Sequence, residues 1–319
     1  MDNKKDIAIT ESSSGGYHVP VLLRQTLDGL AVKPGGIYVD CTFGGGGHAK
    51  ELLKQLNAEG RLFVFDQDAD AAKNVPADDR VTFVPNNFRH LQRFMRLHKT
   101  LLVDGIMADL GVSNHQFDEP ERGFSTRFDA ALDMRMDRRQ ALTAFDVVST
   151  YTEQQLHILF EQYGEVTNAK TLARTIVAIR SAASLKTISN FKAALHAVVK
   201  GNPKKYFAQV FQALRIEVND ELGVLRELLE QIPQLLKPGG RVAIITFHSL
   251  EDRLVKNFFR KGHFGAETTH PFENVASASE LKIITKKPIT AEAEELKFNP
   301  RSRSAKLRIA EKIQENVKL

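Results

Sequence analysis

Short apolar runs alternate with amphipathic stretches in the first third of the chain, give way to purely helical spacing in the middle, and return near the end. Ile37-Tyr38-Val39, Leu62-Phe63-Val64-Phe65, Val81-Thr82-Phe83-Val84 and Ile106-Met107-Ala108 are too short for helices and lie between Gly, Pro and Asp residues. Such runs predict strands buried on both faces of a parallel sheet. After residue 113 no convincing strand appears until Arg241. Thr150-x-x-Glu153 reads as a capping box, with Leu156, Leu159, Phe160 and Tyr163 on the following helical face. Leu172, Ile176 and Ile179 mark a second helix, and a third begins near Ser189 and stops at Gly201-Asn202-Pro203. From Phe207 to Ile232 one continuous stripe predicts a single long core helix. Strand signals resume at Arg241–Phe247 and near residues 282–284 and 304–309, with a helix over 252–260 between them.

This order predicts an α/β chain in which a polar tail, 1–16, precedes a discontinuous domain of residues 17–113 and 206–319. Residues 114–205 form an all-helical insertion. The strongest local signal is Asp40-Cys41-Thr42-Phe43-Gly44-Gly45-Gly46-Gly47-His48-Ala49, a glycine loop between a strand and a helix. Glycines reach positive φ and place no Cβ between the main chain and a ligand, while the helix start turns free N–H groups toward it. A flexible turn would need only two glycines. Asp66 ends the next strand about twenty residues on, where such folds present a carboxylate to ribose hydroxyls. Phe88 sits just past the third strand, in reach of an adenine ring, and Asp109 leaves the fourth. Gly44-x-Gly46-x-x-Ala49 also satisfies the dinucleotide pattern, so NAD and S-adenosylmethionine both fit.

Composition narrows the class. No run approaches the roughly 18 apolar residues of a membrane span, and the first residues carry no apolar signal core, so a cytoplasmic protein without membrane contact is expected. The single Cys41 excludes an internal disulfide and a cysteine-based zinc site. A net charge of +5 is concentrated in clusters such as Arg89/Arg93/Arg96, Lys204/Lys205 and Arg301/Arg303, which brings nucleic acid into consideration as partner. Arg122, Arg127, Arg135, Arg138 and Arg139 of the insertion are candidate phosphate contacts. His248 is read as a hydrogen-bonding group rather than a metal ligand, because no second ligand is spaced suitably nearby.

Eight co-linear segments then carry a resemblance: His18–Leu23, Asp40–His48, Asp109-Leu110-Gly111-Val112-Ser113, Glu121-Arg122-Gly123-Phe124-Ser125, Asp133–Asp137, Phe211-Gln212-Ala213-Leu214-Arg215-Ile216, Phe247–Arg253 and Asn299–Ser304. Together they resemble the RsmH (MraW) family over about residues 17–312. The resemblance implies a Rossmann-like class I methyltransferase sheet that uses S-adenosylmethionine. It implies methylation of the exocyclic N4 of a cytidine in 16S ribosomal RNA, in the decoding-centre region, as free RNA or small ribosomal subunit.

It also implies cofactor contacts from Gly46, Gly47, His48, Asp66, Phe88, Asp109 and Gln116, and RNA recognition by the helical insertion; the amine chemistry itself makes Asp109 the candidate catalytic acceptor. Ser113, Arg135, His248 and Arg301 become substrate-side candidates, and no metal is implied. One departure stands in Ser113-Asn114-His115-Gln116, where the family often reads Ser-Ser-Pro-Gln. The residues agree with an amine target: methylation at carbon 5 of cytosine needs a cysteine nucleophile, and Cys41 belongs to the glycine loop. A non-catalytic RNA-binding assembly factor and an NAD-dependent oxidoreductase are the competing readings, and the Phe207–Ile232 stripe would also suit a homodimer interface.

Overall fold

The computed structural model describes residues 20–264 and 279–314, so the expected tail at 1–16 lies outside the described residues. Helix α1 (Leu23–Leu30) precedes β1 (Ile37–Asp40), α2 (Gly47–Gln55), β2 (Arg61–Phe65), β3 (Val81–Val84), α3 (Leu91–Leu97) and β4 (Val103–Asp109). Then come α4 (Asn114–Asp118), α5 (Ala144–Thr150), α6 (Glu153–Gln162), α7 (Ala169–Ile179), α8 (Ile188–Ala194), α9 (Pro203–Asn219) and α10 (Glu221–Leu235). Finally β5 (Leu236–Thr246), α11 (Ser249–Lys261), β6 (Leu281–Ile283), α12 (Ala293–Phe298) and β7 (Lys306–Lys312) complete the order.

The strands form one seven-stranded sheet in the order β3-β2-β1-β4-β5-β7-β6. β1 to β5 are parallel, while β7 is antiparallel to β5 and to β6. This is a Rossmann-like sheet with an antiparallel edge. Apolar side chains cover both faces, as the unbroken runs predict: Leu22, Leu52, Val64 and Ile309 lie in one core layer, and Val39, Ile106, Leu229 and Phe258 in the other. Strand order reverses between β1 and β4, so the carboxyl ends of β1, β2 and β4 open into a crevice.

Two local expectations change. Thr150 is the last residue of α5, and the capping box belongs to Thr152 and Gln155 instead (Gln155 N–H to Thr152 Oγ1 3.2 Å, Thr152 N–H to Gln155 Oε1 2.9 Å). The long helix is two helices, broken at Asp220 in the left-handed region at φ 49°. Periodicity misses the break because the stripe stays buried on both sides of it. Val210, Phe211, Leu214 and Val218 enter the helical core, whereas Leu225, Leu229 and Ile232 enter the sheet core. Most of that stripe is therefore spent internally. The helical core runs from Phe124 to Val218 and so includes α9, which the sequence reading had joined to the sheet domain.

What docks this helical unit on the sheet is a buried ion pair. Arg122, with a side chain 1% exposed, donates from Nη1 to Asp68 at 2.7 Å and from Nη2 to the carbonyls of Arg135 (3.1 Å) and Met136 (2.9 Å). Arg122 is thus a structural clamp and not a phosphate contact. Truncating it strands the Asp68 charge, so Arg122→Leu is expected to cost roughly 3–5 kcal/mol. The check is a lower urea midpoint at unchanged slope.

Candidate functional site

The crevice is a cleft of about 970 Å³ lined by the β1–α2 loop, the ends of β2 and β4, α4, and the facing ends of α9 and α11. Its glycines serve different purposes. Gly44 has φ 51° and its N–H donates to Asp66 Oδ2 at 2.7 Å. A Cβ on Gly45 would meet nothing within 4 Å, so this residue leaves open space over the pocket. Gly46 (φ 74°) faces away: a Cβ there would come 2.7 Å from the Phe43 ring, and the residue does not line the cleft. Gly47 does line it, and is glycine because Pro20 packs where its Cβ would be, at 2.3 Å.

Two carboxylates, Asp66 and Asp109, line the cleft, and a third, Asp40, is buried without lining it. Asp40 takes the Thr42 N–H at 3.0 Å, and Thr42 Oγ1 in turn accepts the Asp109 N–H at 2.6 Å. Asp66 accepts Gly44 N–H on one oxygen and Asp68 N–H on the other (2.8 Å), so the ribose candidate also braces two loops. Asp109 Oδ1 is buried with no hydrogen-bond partner. Removal from water pushes all three up, Asp40 to about 7, Asp66 to about 6 and Asp109 to about 8. For Asp109 the negative charges of Asp40 and Glu251 add to the burial effect.

His48 is buried, and burial lowers its imidazole to about 4, so it is neutral at pH 7. Its Nε2 lies 2.9 Å from the Val21 carbonyl and must carry the hydrogen there. Nδ1 is left as an acceptor 3.8 Å from Asp109 Oδ2, which makes this a neutral contact rather than an ion pair.

The remaining predicted residues divide. Phe88 lines the cleft with its ring partly buried against the sheet core. Gln116 and Ser113 line it too, and they cap α4 reciprocally (3.1 and 3.2 Å). The Gln116 amide also donates to Asp68 at 2.7 Å. Arg301 pairs with Asp118 and lies 5.1 Å from the Phe117 ring centre, with Arg127 at 5.8 Å from the same ring, all at the cleft wall. Arg135 is not at the cleft: it grips Asp133 through two bonds of 2.8 Å and the Gln140 carbonyl at 2.8 Å. His248 stands behind the wall formed by Phe247 and Glu251, with Nε2 3.2 Å from Glu251.

The sequence assigned no role to Arg215 or Glu221. Glu221, His248 and Glu251 bring ligand atoms within 4.8 Å of one another, a second and third partner that spacing along the chain did not show. Arg215 already supplies the positive charge there, bonding both oxygens of Glu221 at 2.7 and 2.9 Å. The available signals were the Phe211–Ile216 segment, which holds Arg215, and the Phe247–Arg253 segment, which holds Glu251.

The pocket fits a cationic adenosine cofactor: an unpartnered buried oxygen, three desolvated carboxylates and a cradle at Gly45 that any side chain would fill. Comparison with known proteins agrees. The model of the MraW methylase family matches residues 16–313. The chain is 54% identical over 298 residues to the ribosomal RNA small subunit methyltransferase H of Flavobacterium johnsoniae, covering 93% of this chain and 98% of that protein. It is 52% identical over 306 residues to the protein of the same name from Parabacteroides distasonis (95% and 100%). For the one from Bacteroides thetaiotaomicron the identity is 51% over 298 residues (93% and 97%).

The sign of the Asp109 shift gives a prediction. Its carboxyl rises from 3.8 to about 8 on folding, so its contribution to stability is full below about pH 4 and lost progressively up to about pH 8. Asp109→Asn does not titrate. Its melting temperature relative to the parent protein is expected to rise from pH 5 to pH 8 and then level off, as read by thermal scans.

Proposed function

Because the chain belongs to the MraW methylase family, we propose that it methylates the exocyclic N4 amine of a cytidine in 16S ribosomal RNA with S-adenosylmethionine. The observation that carries the site assignment is Asp109: a buried carboxylate oxygen without a partner, at the end of β4, in a cleft large enough for cofactor and base together. The family leaves neither the nicotinamide reading nor the non-catalytic reading standing.

The cofactor supplies an electrophilic methyl group on a positively charged sulfur. Gly44, Gly45, Gly47 and His48 would hold its amino-acid end, Asp66 its ribose and Phe88 its adenine, with Gln116 closing the rim. The amine's lone pair is conjugated into the cytosine ring, so an acceptor on its N–H raises its nucleophilicity. Asp109 Oδ1 is that acceptor once ionised. In the free protein burial raises the Asp109 carboxyl to about 8; beside a cation it ionises at lower pH. The proton released from nitrogen as the N–C bond forms passes to Asp109 and on to water. Neutral His48 faces the same carboxyl and adds no competing charge. Positioning of amine against methyl contributes the larger share, on the order of 7–11 kcal/mol.

The base must leave its stack to reach the floor. Arg127 and Arg301, both near the Phe117 ring at the cleft wall, are the phosphate contacts we favour, with Ser113 beside the incoming nucleotide. The helical unit of residues 124–218 would recognise the surrounding RNA or subunit surface. Among the described residues no helix is long and apolar enough to cross a membrane; we place the reaction in the cytoplasm, where ribosomal subunits are made.

Two measurements test this. Labelled methyl should enter small subunits taken from cells lacking the enzyme, and mass mapping should find it on a cytidine N4, with free 16S RNA run in parallel to identify the preferred form. Asp109→Asn should lower turnover by about 10²–10⁴-fold; full turnover would remove Asp109 from the reaction. Separately, calorimetry should show affinity for S-adenosylmethionine rising from pH 6 to pH 9 while that for uncharged-sulfur S-adenosylhomocysteine changes little, because only the sulfonium gains from ionised Asp40 and Asp109.

A further inference from the structure

Arg215 has no role in the reaction as derived so far, yet its side chain lines the cleft and is only 18% exposed. Nε and Nη2 bond the two oxygens of Glu221 at 2.7 and 2.9 Å, which fixes the plane of the guanidinium. Nη1 makes no hydrogen bond among the described residues. The group stands beside the loop that leaves Asp109: a Cβ on Gly111 (φ 92°) would lie 3.9 Å from Nη2. A rigid cation with unspent donors therefore faces the space next to the acceptor carboxylate.

We propose that Arg215 is a specificity-determining residue that reads the N3 and O2 acceptors of the target cytosine while its N4 amine is presented to Asp109. This rests on the N4-cytidine reading above. Along its pairing edge cytosine offers a donor at N4 and acceptors at N3 and O2. Uracil places a donor at N3, against the guanidinium, and adenine has no acceptor at the O2 position. A phosphate is the poorer occupant because Glu221 and Glu251 both hold negative charge against this one cation. That leaves the local balance unfavourable to an anion but open to a neutral base edge. A metal ion is disfavoured too, since the guanidinium already bonds both oxygens of Glu221.

The experiment compares the parent protein with Arg215→Lys, Arg215→Gln and the charge-balanced double variant Arg215→Gln/Glu221→Gln, using small subunits from cells lacking the enzyme. Expected is a loss in kcat/KM of about tenfold to hundredfold in each variant. S-adenosylhomocysteine affinity should stay within about twofold, and the salt dependence of RNA binding should keep its slope; a lost phosphate contact would reduce that slope by about one. Small subunits rebuilt with 3-deazacytidine at the methylated position, which lack the N3 acceptor, should cost the parent a comparable factor and the variants nothing more. If the variants do not fold, the 3-deazacytidine arm on the parent decides. Unchanged kcat/KM in Arg215→Lys and Arg215→Gln, full activity of the parent on 3-deazacytidine, or a reduced salt slope would overturn the assignment. Failure of the parent protein to methylate any cytidine would overturn the underlying reading instead.

Discussion

Desolvated carboxylates at the ends of parallel strands are the constraint around which this molecule is arranged. Asp40 and Asp109 end adjacent strands, and Asp66 follows the strand on the other side of β1. In water all three would be ionised at neutral pH. Asp66 and Asp109 line the cleft and Asp40 is buried without lining it, and at each a neighbouring negative charge adds to the desolvation that disfavours ionisation. Burial therefore pushes all three carboxyls well above the usual carboxylate range. A methyl donor with positive sulfur is the ligand that such a floor suits, and its uncharged product is the one it would release more readily.

The rest of the architecture serves to hold that floor in register with a substrate. Asp66 is pinned by Gly44 and Asp68 N–H groups, and Asp68 is pinned by Arg122 and Gln116. Arg122 then reaches the carbonyls of Arg135 and Met136, whose side chain lines the cleft. One chain of buried bonds thus runs from the ribose end of the pocket to the helical unit. Arg89 makes a second tie, bonding Asp220 at the break between α9 and α10 and Glu227 beyond it. The two cores are separate, but their junction is polar and specific.

Much of this was legible in the chain. Strand runs bounded by Gly and Asp located the sheet and put Asp66 and Asp109 at its rim, because period and strand length are local properties. The helical insertion was visible for the same reason. What local reading missed was set by contacts between distant segments. Arg122 looked like a phosphate ligand because nothing near it in sequence announces Asp68, 54 positions away. Gly46 looked like a ligand contact, whereas its conformation and the Phe43 ring account for it. Glu221 and Glu251 belong to different helices and come together around His248 only in the folded chain. The break at Asp220 was hidden because burial continues across it into a different core.

The central claim is that the cleft is charge-frustrated when empty and relieved by a cationic cofactor. Carbon-detected NMR of labelled aspartate carboxyls measures this directly. In the free protein one resonance should titrate near pH 8 and vanish in Asp109→Asn, and it should move to lower pH with S-adenosylmethionine but far less with S-adenosylhomocysteine. If every aspartate of the free protein titrated below pH 5, or if both ligands moved the resonance equally, the account would be contradicted.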